Sequence, residues 1–283
     1  MFSYKTNNYR GTELHHTNAF RLAAYLCRWW PLLNRRFTKT ALLAILLNLS
    51  LSFSAFANSP DWTAYAKVLQ TVMPGTKYDT SLALVDYAAL KKSGQLEAVY
   101  QQIKVFPVKT LTSKEEKLAF YINAYNILAI KIVLDNWPLT SIKDVGNLLS
   151  PVWGKTAGII DGEEISLDTI ENDILRPMGE PRIHFAIVCA SVSCPDLRAE
   201  PYTAEKLNSQ LDEQISQFLN NPKKGLSVDS KAIHVSKIFD WFEKDFKSVG
   251  GVEAFIRHYK AALPTLPIEA DIKYIWFLNG IDK

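Results

Sequence analysis

Apolar positions Trp62, Tyr65, Val68, Leu69 and Val72 recur at helical spacing across residues 61–73, and Pro74-Gly75 predicts a stop. Two short helical stretches follow at residues 86–92 and 94–105, split by Ser93-Gly94. The best-defined element begins at Ser113, whose pairing with Glu116 three positions on is a capping-box signature. The apolar run from residue 118 to 133 continues this helix until Trp137-Pro138 ends it. It is apolar nearly all round, which predicts a helix at the centre of the fold. Asn123 and Asn126 then lie one turn apart on one face of a core helix, where buried amides need partners. They either tie down a neighbouring loop or serve a site directly.

Asp161-Gly162, flanked by short apolar stretches within residues 159–165, predicts a hairpin. A short helix follows from Ser166 and Thr169 to Leu175, ended by Pro177 and Gly179. The continuous apolar run at residues 183–188 predicts a strand buried on both faces. Leu207, Leu211, Ile215, Phe218 and Leu219 form the stripe of an amphipathic helix. A second hairpin is expected around Asp229-Ser230-Lys231, then a helix from a Ser236 cap through Phe246 and a last one at residues 252–262. Helices dominate without regular βαβ alternation. The expected class is α+β, mostly helical, with a small mixed or antiparallel sheet around a central apolar helix.

Residues 41–57 are apolar, follow Arg35, Arg36 and Lys39, and end in Ala55-Phe56-Ala57. Basic flank, apolar core and small-x-small terminus are the three parts of a secretory signal. Cleavage after Ala57 is expected, with an uncleaved outward-facing inner-membrane anchor as the alternative; both place residues 58–283 in the periplasm or outside the cell, as a single globular domain. The long segment before Arg35 fits a translation start nearer the Arg35-Arg36 pair. Residues 1–57 hold seven of the 32 basic and one of the 29 acidic groups, so the net charge falls from +3 to −3 without them. The basicity is leader charge, and neither nucleic-acid binding nor stable membrane insertion of the mature domain is expected. The expected partner is a small molecule or a peptide.

Four blocks carry a family likeness: 120–126 (FYINAYN), 166–176 (SLDTIENDILR), His184 to Cys189 through Ser193-Cys194-Pro195, and 235–242 (VSKIFDWF) with Asp245-Phe246. In their order over residues 79–246 the chain resembles domain of unknown function family 547. A histidine common in that family after the short helix's glutamate is Asn172 here, so a role resting on it does not transfer. The resemblance implies no mechanism.

Cys189 and Cys194 are the only cysteines outside the leader. In an exported protein they can form a disulfide across a tight turn, making the loop structural. Alternatively, one thiol acts as nucleophile for acyl or amide hydrolysis or transfer, activated by an imidazole that a third polar group orients. His184 and Cys189 are an odd number of positions apart and face opposite sides of a regular strand. His234 is therefore the expected base, with Asp240, Asn123 or Asn126 as orienter. A third arrangement, His184, Cys189, Cys194 and His234 as a zinc set, meets the same parity objection. His258 is expected on a solvated face, and Glu163-Glu164 at a polar hairpin edge. The thiol-dependent reading is favoured, without cofactor or metal. Its competitor is a non-enzymatic binding or scaffold module stapled by a disulfide.

Overall fold

The computed structural model describes residues 60–147 and 149–281, and the expected leader lies outside them. Helix α1 (Thr63–Leu69) forms as its spacing predicts. Beyond it, Pro74-Gly75 does not end the ordered structure. Strand β1 (Met73–Lys77) pairs antiparallel with β2 (Thr80–Leu84). Their turn is made by Tyr78 and Asp79 with φ of 50° and 57°, left-handed values usually supplied by Asn or Gly in a tight hairpin. Helices α2 (Tyr87–Ser93) and α3 (Gln95–Val105) are separated at Gly94, whose φ of 63° suits glycine.

Helix α4 (Lys114–Asp135) opens with the expected capping box: the Ser113 hydroxyl accepts the Glu116 N–H at 3.0 Å, and the Glu116 carboxylate accepts the Ser113 N–H at 2.9 Å. It is long and apolar enough to cross a membrane, yet the residues of its most apolar stretch are mostly buried within the fold. It is the core helix its pattern predicts, packed against α2, α3 and the hairpin of β3 (Thr156–Ile160) and β4 (Glu163–Ser166). The close approach is possible because residue 158 is glycine: a Cβ there would sit 2.6 Å from the Leu128 side chain.

The expected short helix forms at Thr169–Leu175, wound as a wide π-helix. The expected strand at residues 183–188 is absent. Pro181–Phe185 forms a 3-10 turn, and the Ile187 N–H bonds the Ile183 carbonyl at 3.0 Å. The run is buried as predicted, but its backbone is satisfied by local turns and by the Asn126 side chain rather than by a neighbouring strand. A short apolar run specifies burial, not conformation.

Helix α5 (Leu207–Leu219) matches its stripe. Strands β5 (Leu226–Val228) and β6 (Ile233–Ser236) pair antiparallel, and β7 (Ile268–Ile272) adds in parallel to β6, making the sheet mixed. The helix expected from Ser236 through Phe246 is broken into α6 (Ile238–Trp241) and a 3-10 segment (Glu243–Val249), before α7 (Gly251–Tyr259). The protein is α+β and mostly helical. Two hydrophobic clusters result, one around α4 and one built on Phe185, Phe218, Phe239, Phe246 and Phe255.

Candidate functional site

Cys189 and Cys194 form a disulfide with Cα atoms 6.1 Å apart. Their loop is held from several directions. The Val192 N–H bonds the Phe277 carbonyl at 2.9 Å, and the Ser193 hydroxyl accepts the Ile275 N–H at 2.8 Å, so residues 275–279 run beside the loop as a supporting strap. The buried Lys224 ammonium donates to the Cys194 carbonyl at 3.0 Å and to Asp196 at 2.7 Å. Burial depresses the Lys224 pKa, and Asp196 opposes that. Asn126 donates to the Ala186 carbonyl at 3.0 Å and accepts the Val188 N–H at 2.8 Å, fixing the chain as it enters the loop. Asn123 makes the same paired contact with the Tyr202 backbone, at 2.8 and 2.9 Å. Both amides act as backbone staples.

The disulfide forms part of the wall of a cavity of about 280 Å3. Aromatic rings dominate the rest: Tyr125 from α4, Trp153, Trp241 at the end of α6, Phe242, Tyr274 and Trp276. Trp241, Tyr274 and Trp276 pack mutually, with ring centroids 4.6 to 5.8 Å apart. The Tyr274 hydroxyl lies 3.3 Å from each disulfide sulfur, and the Ser191 hydroxyl 3.1 Å from that of Cys189.

The polar part of the lining is Asp168, Glu171, Asn172 and His184. His184 is buried, stacked on Phe242 at 3.9 Å, and its Nε2 lies 2.8 Å from Asp245. A carboxylate only accepts, so Nε2 carries the proton and Nδ1 keeps a lone pair, which has no partner among the described residues. Burial lowers the His184 pKa to about 4, against the pull of Asp245. Arg176 grips Asp245 with two bonds, at 2.6 and 3.0 Å, and donates to Asn172 at 2.6 Å. Burial raises Asp245, but its bonds to Arg176 and His184 outweigh that and hold it below its ordinary value. Glu171 accepts a long hydrogen bond, 3.4 Å, from Tyr125. Burial raises its pKa to about 7, with Arg176 opposing.

The residues expected from the sequence divide sharply. Cys189 and Cys194 line the cavity, Asn126 supports the loop beside it, and Asn123 holds a different segment. His234 and Asp240 are not among the lining residues. His234 is instead engaged by Asp271, at 2.9 and 3.0 Å, and by Asp229 at 3.3 Å, contacts that raise its pKa. Asp240 is exposed. His184, set aside on strand parity, shares the cavity with Cys189 because the segment is not a strand. Nor do the four proposed zinc ligands meet: both sulfurs are bonded to each other, and each imidazole is held by its own carboxylate. Glu171, Asp245, Tyr274 and Trp276 were missed as site residues. The Tyr274-Ile-Trp-Phe277 run, with its first and third aromatics on one side, was the available signal.

Residues 108–219 match the family model described as protein of unknown function, DUF547. That segment is similar to the family. It supplies Tyr125, Glu171, His184 and the disulfide, while Trp241, Phe242, Tyr274 and Trp276 come from beyond its end. The match covers a shorter stretch than the resemblance over residues 79–246. No curated protein and no solved structure matches the chain.

Proposed function

We propose that the chain is an exported binding protein, which holds a small molecule or a peptide side chain in the aromatic cleft beside a structural Cys189–Cys194 bridge. The observation that carries this reading is the cleft itself: six aromatic side chains and a few polar groups around a cavity of about 280 Å3, near the small end of the range for ligand sites. The leader pattern supports export, and export favours a lasting disulfide. A screen of small molecules and short peptides, read by tryptophan fluorescence, tests it. Hits should lose affinity in Trp241→Ala and leave both cysteines unalkylated without reductant. Hits insensitive to Trp241→Ala and to Trp276→Ala would refute the cleft as the site.

A second reading has one specific observation behind it. His184 shares the cavity with Cys189, is oriented by Asp245, and keeps an unpartnered Nδ1 lone pair, which are the base and orienter of a thiol-dependent acyl or amide enzyme. On this reading the base is His184 rather than His234. In that case reduction exposes one thiol that reacts quickly with iodoacetamide, and His184→Ala slows the reaction. Equal, slow labelling of both thiols after reduction argues against it.

A further inference from the structure

We propose that the occupant of the cleft is an organic cation, a substituted ammonium head group caged by Trp153, Trp241, Tyr274 and Trp276, with Glu171 as its counter-charge. The inference rests on the binding reading above and adds the chemical class of the ligand.

Three observations converge on a cation. First, ring faces carry the negative end of the aromatic quadrupole, and several rings around one cavity make a surface that favours positive charge. Lys143 already lies 4.7 Å from the centroid of the Trp276 ring, so this cluster engages one cation at its edge.

Second, among the described residues no lysine or arginine lines the cavity. Besides Tyr125 and Tyr274, which burial keeps protonated, its ionisable lining groups are Asp168, Glu171 and His184, and burial keeps the last neutral near pH 7. The Arg176 guanidinium, 5.3 Å from the ring centroid of the lining residue Phe242, is committed to Asp245 and Asn172. An anionic ligand would meet carboxyl groups without a free cation to receive it.

Third, Glu171 lacks strong partners. Its carboxyl has one hydrogen bond among the described residues, from Tyr125 at 3.4 Å, and Arg176 acts on it only through space. An ammonium group in the cavity would supply the opposite charge that a poorly solvated carboxylate lacks. The other charged groups facing it, Asp168 and Asp245, repel its ionised form and make the same demand. Cation binding should therefore draw a proton off Glu171.

The probe pair is choline and its uncharged isostere 3,3-dimethylbutan-1-ol, titrated into the disulfide-intact full chain with tryptophan fluorescence as readout. Choline is expected to bind at least about tenfold more tightly than the alcohol, the scale of a desolvated cation–π contact. That preference should shrink as pH falls below about 7, where Glu171 takes up its proton, and should be largely lost in Glu171→Gln. Trp241 is 45% exposed, so Trp241→Ala is expected to fold and should weaken choline several-fold. Equal binding of choline and alcohol, or a choline preference unchanged in Glu171→Gln, overturns the cation assignment. So does a failure of choline to bind at all. Neutral hits from the screen that still depend on Trp241 would in those cases leave the binding reading standing.

Discussion

Glu171 and His184 line one cavity and are both driven towards their neutral forms by burial, so they act on stability with opposite dependence on pH. For Glu171 the pKa is raised from 4.5 unfolded to about 7 folded. Its contribution is fully present below its unfolded value and is lost as pH rises through the folded one. For His184 the pKa is lowered from 6.5 to about 4. Its contribution is present above the unfolded value and lost as pH falls through the folded one. Between about pH 4.5 and 6.5 the two slopes nearly cancel in the native protein. Glu171→Gln removes one of them while keeping an acceptor for the Tyr125 hydroxyl. At about 1.4 kcal/mol per pH unit, the stability of the variant minus that of the native protein should grow by about 3 kcal/mol from pH 4.5 to 7. Taking the difference removes every group common to both proteins. Urea titrations at half-unit intervals of pH measure it. A difference that stays flat across this range would show that Glu171 titrates as an ordinary carboxyl, and the burial argument would fail with it.

The two amides give a paired prediction. Asn126→Ala and Asn123→Ala each orphan a buried carbonyl and N–H and should each cost about 2–4 kcal/mol in urea unfolding. Only Asn126→Ala should also speed reduction of the disulfide by dithiothreitol, because only Asn126 fixes the approach to Cys189. Replacing both cysteines by serine should cost about 2 kcal/mol, the loop-entropy value for so short a closure, with a lowered melting temperature at unchanged secondary structure by circular dichroism. Lys224→Met should cost about 3 kcal/mol because it leaves Asp196 without its buried cation, and adding Asp196→Asn should recover part of the loss; additive costs in the double variant would refute the pairing.

How much of this was legible in the sequence depended on the range of the interaction. The capping box of α4 is local chemistry between Ser113 and Glu116, and it formed where it was read. The need of Asn126 for a buried partner followed from its place on an apolar helix, although its partners, 60 and 62 positions away, did not. The β1–β2 hairpin was hidden because Pro74 reads as a stop and its turn uses Tyr78 and Asp79 rather than glycine. His184 was misjudged through a parity rule that holds only for strands, and its segment forms turns although its composition suits a buried strand. The contact of His184 with Asp245 spans 61 positions and depends on tertiary structure alone. Nothing in local pattern announces it.

That contact also accounts for where the cavity lies. Adjacent residues His184 and Phe185 face different surroundings: Phe185 packs among Phe218, Phe239, Phe246 and Phe255, while His184 lines the cavity against Phe242. The 3-10 turn makes this divergence possible at one point, and it is also where the cluster around α4 gives way to the phenylalanine cluster. Side chains shaped for one core cannot fill the gap left by the other, so a seam between two cores is a place where a cavity costs least. Asp245 and Arg176 span that seam, and the disulfide loop with its C-terminal strap closes it from the side. A ligand in the cleft would touch Tyr125 on one core and Ile238 on the other. Its binding should therefore slow hydrogen exchange in both α4 and α6, whereas a ligand held by the tryptophans alone, of which only Trp241 belongs to either helix, would leave α4 unprotected.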